Sequence, residues 1–332
     1  MVTDKGDFSP IGEASVRIEV PGGVSPLSFT SETWGYTATV CTHVPSGSLR
    51  ASARKRGYLP WYSEASYAGW SDVGGVGIEL ASSSLDAGIS EGDYDGDGVS
   101  DIAIFRPSIS LWAVRGVTRA YFGAESDDLV PADYDGDGTA EVGIFRPGTG
   151  LWALRGVTRI YFGGFSDIAV PADYAGDGTY DLAIFRNAGG LWAIRGLSRV
   201  YFGSAEDQPA PGDYDGDDSA DLVVYRSGVG LWALRGMSAF YFGTGGDRLI
   251  AGDYDGEGSW RAGVFRPSNG LWAIRGLSRW YFGGADALAV PADYDGDMAV
   301  ELGIFRGGRD LWQLKDISRV YYGTSGDIPI TR

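Results

Sequence analysis

Residues 133–163 read DYDGDGTAEVGIFRPGTGLWALRGVTRIYFG, and this stretch decides the fold because the chain repeats its pattern. Each copy has an acidic D-Y-[DA]-G segment, an apolar run that ends in an arginine, an L-W pair and a Y-[FY]-G segment. The copies follow one another at intervals of 40 residues and begin at Asp93, Asp133, Asp173, Asp213, Asp253 and Asp293. A period of about 40 residues with several strand-like runs is typical of propeller blades.

Each copy contains four short runs with strand character. In the second copy these runs are 129–132, 142–146, 151–155 and 157–162, and turn residues such as Gly and Pro separate them. The connections are too short for crossover helices, so neighbouring strands are expected to be antiparallel. The sequence therefore predicts an all-β fold, a β-propeller of four-stranded antiparallel blades, over residues 57–332, with repeats that start near residue 86. Residues 1–56 are predicted to form a β-rich N-terminal extension.

The two ends of the repeat region leave two blade counts open. Residues 327–330 repeat the inner-strand pattern after the sixth copy. Seven blades are favoured, with the last blade closed by this C-terminal strand and by degenerate N-terminal strands at 58–65, 69–73 and 76–80, because closure removes exposed sheet edges. The alternative is six blades plus a separate N-terminal β-domain.

Composition restricts the partners. The chain of 332 residues has a formal net charge of −17, which disfavours nucleic acid and anionic membrane surfaces as partners. No run of about 20 apolar residues occurs, so no membrane span is expected. The chain has a single cysteine, Cys41, and therefore no intrachain disulfide.

The acidic segments have the spacing D-x-D-x-D-G-x-x-D. Carboxylates at positions 1, 3, 5 and 9, together with the carbonyl at position 7, form an all-oxygen ligand set, and Ca²⁺ takes 6–8 oxygens at about 2.3–2.6 Å. A glycine at position 6 permits the sharp turn that brings these oxygens together. No histidine or cysteine takes part, which argues against zinc.

Four of the six loops keep a complete set of carboxylates, so about four strong Ca²⁺ sites are expected. Their predicted ligands are Asp93, Asp95, Asp97, Val99 and Asp101; Asp133, Asp135, Asp137, Thr139 and Glu141; Asp213, Asp215, Asp217, Ser219 and Asp221; and Asp293, Asp295, Asp297, Ala299 and Glu301. The other two loops are expected to be weak or empty. The third has Ala175 at position 3 and keeps Asp173, Asp177, Thr179 and Asp181; the fifth keeps Asp253, Asp255 and Glu257 but has Arg261 at position 9.

Two further residue types recur once in every copy. A tryptophan in each repeat is predicted to fill the space between neighbouring blades, with carbohydrate stacking as the alternative. The arginines are predicted to tie each blade to an acidic loop or to a backbone carbonyl. The tryptophans are Trp112, Trp152, Trp192, Trp232, Trp272 and Trp312, and the arginines are Arg106, Arg146, Arg186, Arg226, Arg266 and Arg306.

The combination of Y-F-G-x-x-x-D with P-x-D-Y-D-G-D-G resembles the FG-GAP or VCBS-type repeat of integrin α-subunit propellers and many bacterial surface proteins. The resemblance covers roughly residues 86–332. It implies calcium on the hairpin loops of one face, an extracellular or cell-surface location and a role in recognition. The departures at Ala175, Arg261 and Met298 affect the sites in which they occur.

No nucleophile elbow, phosphate loop or histidine occurs within the repeats, so no enzymatic activity is expected. The sequence predicts a calcium-stabilised binding or adhesion module that recognises carbohydrate or protein. Binding is expected on the face opposite the calcium loops, where the turns between the second and third strands differ most among the copies. The alternative is a structural subunit of a surface layer or extracellular filament, which includes self-association.

Overall fold

The computed structural model describes residues 92–330 and, upstream of them, the backbone of six strands. These upstream strands are Val2–Asp4, Ser15–Glu19, Leu27–Thr30, Gly47–Lys55, Tyr58–Tyr67 and Ile78–Leu80. The chain divides into two compact units, Met1–Gly88 and Ile89–Arg332. In the part of the chain that the structure describes, no helix has the length and apolar character needed to cross a membrane.

The first unit contains a four-stranded antiparallel sheet. Its strands are ordered Leu27–Thr30, Ser15–Glu19, Gly47–Lys55 and Tyr58–Tyr67, while Val2–Asp4 pairs in parallel with Ile78–Leu80. Strands on both sides of residue 56 thus belong to one sheet.

The second unit is a six-bladed β-propeller, with one four-stranded antiparallel sheet for each repeat. From the inner to the outer strand, the blades are Ile328–Pro329, Ala103–Arg106, Leu111–Val114 and Thr118–Tyr121 (blade 1); Asp128–Leu129, Gly143–Arg146, Leu151–Leu154 and Thr158–Tyr161 (blade 2); Asp167–Ala169, Ala183–Arg186, Leu191–Ile194 and Ser198–Tyr201 (blade 3); Gln208–Pro209, Val223–Arg226, Leu231–Leu234 and Ser238–Tyr241 (blade 4); Arg248–Leu249, Gly263–Arg266, Leu271–Ile274 and Arg279–Tyr281 (blade 5); and Leu288–Ala289, Gly303–Arg306, Leu311–Leu314 and Ser318–Tyr321 (blade 6). Short 3-10 turns, Pro107–Ile109 and Asn187–Gly189, join the middle strands of blades 1 and 3.

The prediction of seven blades is wrong, and the six-bladed alternative is correct. The C-terminal strand completes blade 1, because Ile328 and Pro329 pair with Phe105 and Ile104. The proposed N-terminal partner 58–65 lies within Tyr58–Tyr67, which pairs with Gly47–Lys55. Residues 69–73 lie outside the described residues.

The inner strand of blade 1 comes from two separate parts of the chain. The Ile330 N–H donates to the Ala103 carbonyl at 2.9 Å, and the Gly92 carbonyl accepts the Asp101 N–H at 2.9 Å. In blade 2 the equivalent positions, Val130 and Ala132, belong to one continuous segment. The sequence pattern identified residues 327–330 as an inner strand but assigned it to a seventh blade, whereas it pairs with the second strand of the first repeat.

A buried tryptophan occupies each blade. Trp152, for example, contacts Phe145 of the adjacent strand with ring centroids 5.0 Å apart, and lies in one apolar cluster with Ile184 and Ala193 of blade 3. Its indole N–H donates to the Phe162 carbonyl at 3.0 Å, which satisfies its one polar group. All six tryptophans, Trp112, Trp152, Trp192, Trp232, Trp272 and Trp312, have an exposed fraction of 0%. The interpretation that they fill the space between blades is confirmed, and no sugar can reach them.

The apolar clusters continue across the point where the ring closes. Phe305 and Trp312 of blade 6 share a buried cluster with Ile102, Ile104 and Leu111 of blade 1. Each blade thus buries apolar side chains against the next one, and the six interfaces form a closed circle. A closed circle leaves no blade face exposed to solvent.

The recurring arginines bind a partner that differs from both predicted ones. Arg146 donates from Nε and Nη2 to the two carboxylate oxygens of Asp127 at 2.6 and 2.8 Å, and Asp127 also accepts the Ala124 N–H at 2.9 Å. Asp127 lies in the connection between blades 1 and 2, not in an acidic loop. The equivalent pairs are Arg106–Asp327, Arg186–Asp167, Arg226–Asp207 and Arg266–Asp247. In blade 6 the aspartate is replaced by Ala287, and Arg306 contacts Asp286 and Gln313.

We expect deletion of residues 327–332 to destabilise the whole propeller. The deletion removes the inner strand of blade 1, the buried Ile330 side chain and the Asp327 partner of Arg106. Ladder hydrogen bonds contribute about 0.5–1.5 kcal/mol each and a buried Ile about 1.5–3 kcal/mol, so the free energy of unfolding should fall by roughly 3–5 kcal/mol. Thermal and urea unfolding measure this change. A variant that ends at Ile330 is the control, and equal stability of the two truncated proteins would contradict closure by this strand.

Candidate metal centres

Each acidic loop joins the inner strand of a blade to its second strand and folds around its first aspartate. Asp133, which is buried, accepts the Gly136 N–H on Oδ1 at 2.6 Å and the Gly138 N–H on Oδ2 at 2.9 Å. At position 9, Glu141 Oε2 accepts the Tyr134 N–H at 2.8 Å. The two end carboxylates therefore organise the loop through backbone hydrogen bonds and keep the remaining oxygen lone pairs available.

The loop conformation is kept even where the turn glycine is absent. Gly138 has a φ of +89°, a left-handed conformation that glycine adopts readily. Asp218 and Met298 take its place in the fourth and sixth loops with φ values of +74° and +69°. A non-glycine residue in this region costs roughly 1 kcal/mol, so the rest of each loop imposes the turn.

In four loops the carboxylates converge. The groups are Asp93, Asp95 and Asp101; Asp133, Asp135, Asp137 and Glu141; Asp213, Asp215 and Asp221; and Asp293, Asp295, Asp297 and Glu301, and in each one oxygen per residue lies within 4.8 Å of the others. These are the four loops in which the sequence predicts strong sites. The described part of the chain thus contains four acidic clusters that could hold a metal ion.

Some predicted ligands lie outside these clusters. Asp97 and Asp217 are absent from the first and fourth groups, and their Oδ1 atoms accept the N–H of Val99 at 2.9 Å and of Ser219 at 3.0 Å. The position 7 residues of three other loops make the same contact: the N–H of Thr139, Thr179 and Ala299 donates to Asp137, Asp177 and Asp297, respectively.

The third and fifth loops do not bring three carboxylates within 4.8 Å of one another. In the third loop, Ala175 offers no carboxylate, and its N–H donates to Asp181 Oδ2 at 3.1 Å while Asp173 Oδ1 accepts the Asp177 N–H. In the fifth loop, Arg261 Nη2 forms a salt bridge with Asp255 Oδ2 at 2.7 Å. Asp253 accepts the loop N–H groups of Asp255, Gly256 and Gly258 and also contacts the Asp255 carboxyl group, and Glu257 is exposed. The fifth loop therefore carries its own positive charge.

Electrostatics distinguish the complete loops from the fifth. Burial, followed by the neighbouring carboxylates, raises the pKa of Glu141 and Glu301 to about 7 and that of Asp101 and Asp221 to about 6, although a backbone N–H bond opposes the shift. In the fifth loop, burial also acts to raise the pKa of Asp255, but the hydrogen bond and charge of Arg261 lower it overall. The four clusters thus contain crowded negative charge that a cation would relieve.

Backbone hydrogen bonds link the six loops into a closed ring. The position 8 N–H of every loop donates to the carbonyl oxygen of the first aspartate in the neighbouring loop, at distances of 2.6–2.8 Å. The donor and acceptor pairs are Ser100 to Asp293, Ala140 to Asp93, Tyr180 to Asp133, Ala220 to Asp173, Trp260 to Asp213 and Val300 to Asp253. Sequence reasoning missed these bonds because they use main-chain atoms and because position 8 has no constant side chain.

The side chain at position 8 differs between the two kinds of loop. The four loops with carboxylate clusters have small or medium side chains there, whereas the third and fifth have Tyr180 and Trp260. Tyr180 lies edge-on to Tyr134 at 6.4 Å between ring centroids, and Trp260 lies 6.2 Å from Tyr214 of the adjacent loop. Loops that lack a carboxylate cluster are thus fastened to their neighbour by aromatic contact.

Gly212 makes room for the tryptophan. A Cβ atom at Gly212 would lie only 2.2 Å from the Trp260 ring, which no side chain could tolerate without displacement. The equivalent residue in blade 2 is Ala132. The small residue in one blade and the large residue in the next therefore form a matched pair.

No family model matches the chain, and no curated protein is significantly similar to it. The β-propeller with six four-stranded blades is shown by the strand pairing. The assignment of the repeats to the FG-GAP or VCBS type stays a prediction.

We expect Trp260→Ala to destabilise the propeller by roughly 2 kcal/mol, about half the cost of removing a fully buried Trp, because the ring is only partly buried. The loss should be the same in calcium and in chelator, since the contact involves no carboxylate. Denaturant unfolding under both conditions measures it. Val300→Ala, at the same position of the sixth loop, is the control with a smaller expected loss, and a Trp260→Ala effect no larger than that of the control would refute the aromatic fastening.

Proposed function

We propose that the propeller is a calcium-stabilised, non-catalytic module that binds a carbohydrate or protein ligand outside the cell. The observation that carries the proposal is the set of four carboxylate clusters at equivalent positions of a ring of hydrogen-bonded loops. The resemblance of the repeats to FG-GAP and VCBS sequences supports the same assignment.

The geometry of the clusters suits calcium. Two oxygens on opposite sides of a Ca²⁺ ion lie about 4.6–5.2 Å apart, twice the Ca–O distance of about 2.3–2.6 Å. The oxygens of each cluster lie within 4.8 Å of one another. Mg²⁺ binds at about 2.0–2.1 Å and keeps most of its water, so it fits a set of three or four carboxylates less well. A bound ion would supply positive charge and cross-link the two ends of the loop.

The ions would also reduce repulsion within the folded chain. Four divalent ions change the formal net charge of −17 by +8, to −9. Metal binding accounts for the converging carboxylates without catalysis. Their raised pKa values alone would also fit general acids.

Ligand binding is proposed on the face opposite the acidic loops. The turns between second and third strands lie there, and their sequences differ among blades: 107–110, 147–150, 187–190, 227–230, 267–270 and 307–310. Bidentate Arg–Asp pairs hold five of the blades at this end, which pre-organises the turns. Apolar side chains are exposed on this face at Ile109, Phe165 and Val229. Rigid strands that present variable loops are a common arrangement for recognition.

We expect about four Ca²⁺ ions per chain by elemental analysis after dialysis. Asp135→Asn should lower the number by one, because it removes one of four converging carboxylates. Asp255→Asn is the matched control in the fifth loop and should leave the number unchanged. Since ions that bind only the folded state stabilise it by mass action, a chelator should lower the melting temperature. A count of zero or one ion, or an equal effect of the two variants, would refute the calcium assignment.

We expect an array of neutral glycans and extracellular proteins to contain a ligand that binds in calcium and dissociates in chelator. Ile109→Ser/Phe165→Ser should weaken this binding, because both side chains lie on the proposed face. The matched control is Leu197→Ser/Leu277→Ser, since these exposed side chains lie in the turns on the acidic-loop side. Absence of any ligand, together with a filament or lattice in electron micrographs, would overturn the binding function in favour of a structural subunit.

A further inference from the structure

The outer strand of every blade presents an exposed tyrosine. The exposed fraction of these side chains is between 73% and 76% in all six blades. They are Tyr121, Tyr161, Tyr201, Tyr241, Tyr281 and Tyr321. The outer strands, together with the turns that precede them, form the rim of the propeller, defined as residues 115–121 and their equivalents at intervals of 40.

An arginine accompanies the tyrosine in five of the six blades. It lies two residues earlier, and alternate residues of a strand point to the same side of a sheet. These arginines are Arg119, Arg159, Arg199, Arg279 and Arg319, all exposed, and blade 4 has Ala239 instead. No salt bridge of these five arginines occurs among residues 92–330.

The rim is positively charged although the protein is strongly acidic. The six rim segments contain eleven basic residues and one acidic residue, Asp316, which gives +11 − 1 = +10. The six acidic loops contain 23 carboxylates and Arg261, which gives −23 + 1 = −22. Positive charge is therefore concentrated on the rim of a chain whose net charge is −17.

Differences among the repeats argue against a purely structural role for the tyrosine. The residue just before it packs toward the next blade and varies from Ala120 to Phe240 and Trp280. The exposed tyrosine is the same in all six copies, although exposed positions usually tolerate substitution. Charged side chains protect an edge strand from pairing with another chain, which accounts for the arginines but not for an exposed aromatic ring.

Two basic side chains of the rim contact an aromatic residue of the neighbouring blade. The Arg275 guanidinium lies 3.8 Å from the ring centroid of Phe240 in blade 4. Arg119 of blade 1 hydrogen-bonds the hydroxyl group of Tyr322 in blade 6. Such contacts reduce the side-chain entropy that binding would otherwise remove.

We propose that the rim binds an anionic polysaccharide, a function separate from and independent of the ligand site proposed above. The exposed tyrosine offers a flat apolar face and a hydroxyl group to a sugar ring, and arginine binds carboxylate or sulfate groups with two parallel hydrogen bonds. Copies of one site around a ring suit a polymer with a repeating charged unit, because several weak contacts then act together. Nucleic acid also offers anionic groups to these arginines and meets the same −22 charge of the adjoining loops, so the test includes it as a competing ligand.

The test uses the whole protein in calcium, with dextran sulfate as the probe and neutral dextran as the matched control polymer. We expect binding to dextran sulfate and none to dextran. Arg159→Gln/Arg199→Gln should weaken binding several-fold, about five or more, since cooperating contacts are lost. Arg248→Gln removes one positive charge outside the rim and outside the turns of the proposed ligand face, and it should weaken binding less than Arg159→Gln alone.

The tyrosines are tested in the same way. Tyr161→Ala/Tyr201→Ala should weaken binding by a similar factor, whereas Tyr161→Phe/Tyr201→Phe, which keeps the rings, should retain most of it. Ala239→Arg completes the sixth copy and should tighten binding, so it tests the proposal even if another variant fails to fold. Melting curves in calcium check that each variant is folded.

Four results would overturn the proposal. Dextran could bind as well as dextran sulfate, or Arg248→Gln could weaken binding as much as Arg159→Gln. Single-stranded poly(dT) could bind more tightly than dextran sulfate with the same dependence on the rim residues, which would assign the rim to nucleic acid. Light scattering could show self-association that the rim variants abolish, which would assign it to a second copy of this chain.

Discussion

Each blade can bury its tryptophan only against the next blade, and the rest of the structure depends on this contact. The side chain of Trp152 has neighbours on its own sheet and on blade 3, so a single repeat would leave most of a large apolar surface in water. Five interfaces form because each repeat is followed by another one along the chain. The sixth, which includes Trp312 and Leu111, exists only if the ring closes. The C-terminal strand and the ring of loop hydrogen bonds belong to this closed arrangement, whereas four of the five bidentate Arg–Asp pairs join neighbouring strands of a single continuous repeat.

Local features of the propeller could be predicted from the sequence, because each depends on residues close together in one repeat. The strands around Phe145, the turn at Gly138 and the four loops with converging carboxylates belong to this class. The blade count was not predictable in the same way, since Ile328 pairs with Phe105 over a separation that no local pattern encodes. The partner of Arg146 was also missed, because Asp127 belongs to the preceding blade connection in the sequence pattern.

The acidic loops combine two ways of attaching neighbouring blades. Loops 6, 1 and 2 are consecutive around the ring and all have carboxylate clusters, while the cluster of loop 4 lies between loops 3 and 5. Loop 3 carries Tyr180, which contacts loop 2, and loop 5 carries Trp260, which contacts loop 4. Where Ala175 and Arg261 occupy ligand positions, aromatic contacts therefore join the loops, and the main-chain bonds are the same in all six loops.

The inner strand of blade 1 has a further consequence for how the propeller carries mechanical load. Its backbone is interrupted between Ile330 and Gly92, whereas the other blades have one continuous segment there. A pulling force applied through the chain at both of these points acts first on the short strand Ile328–Pro329 and on the Arg106–Asp327 pair. Once that strand separates, Phe105 and Trp112 lose their buried contact with Ile330. The ring then opens at blade 1. Resistance to tension therefore resides in one blade, whatever the thermal stability of the other five.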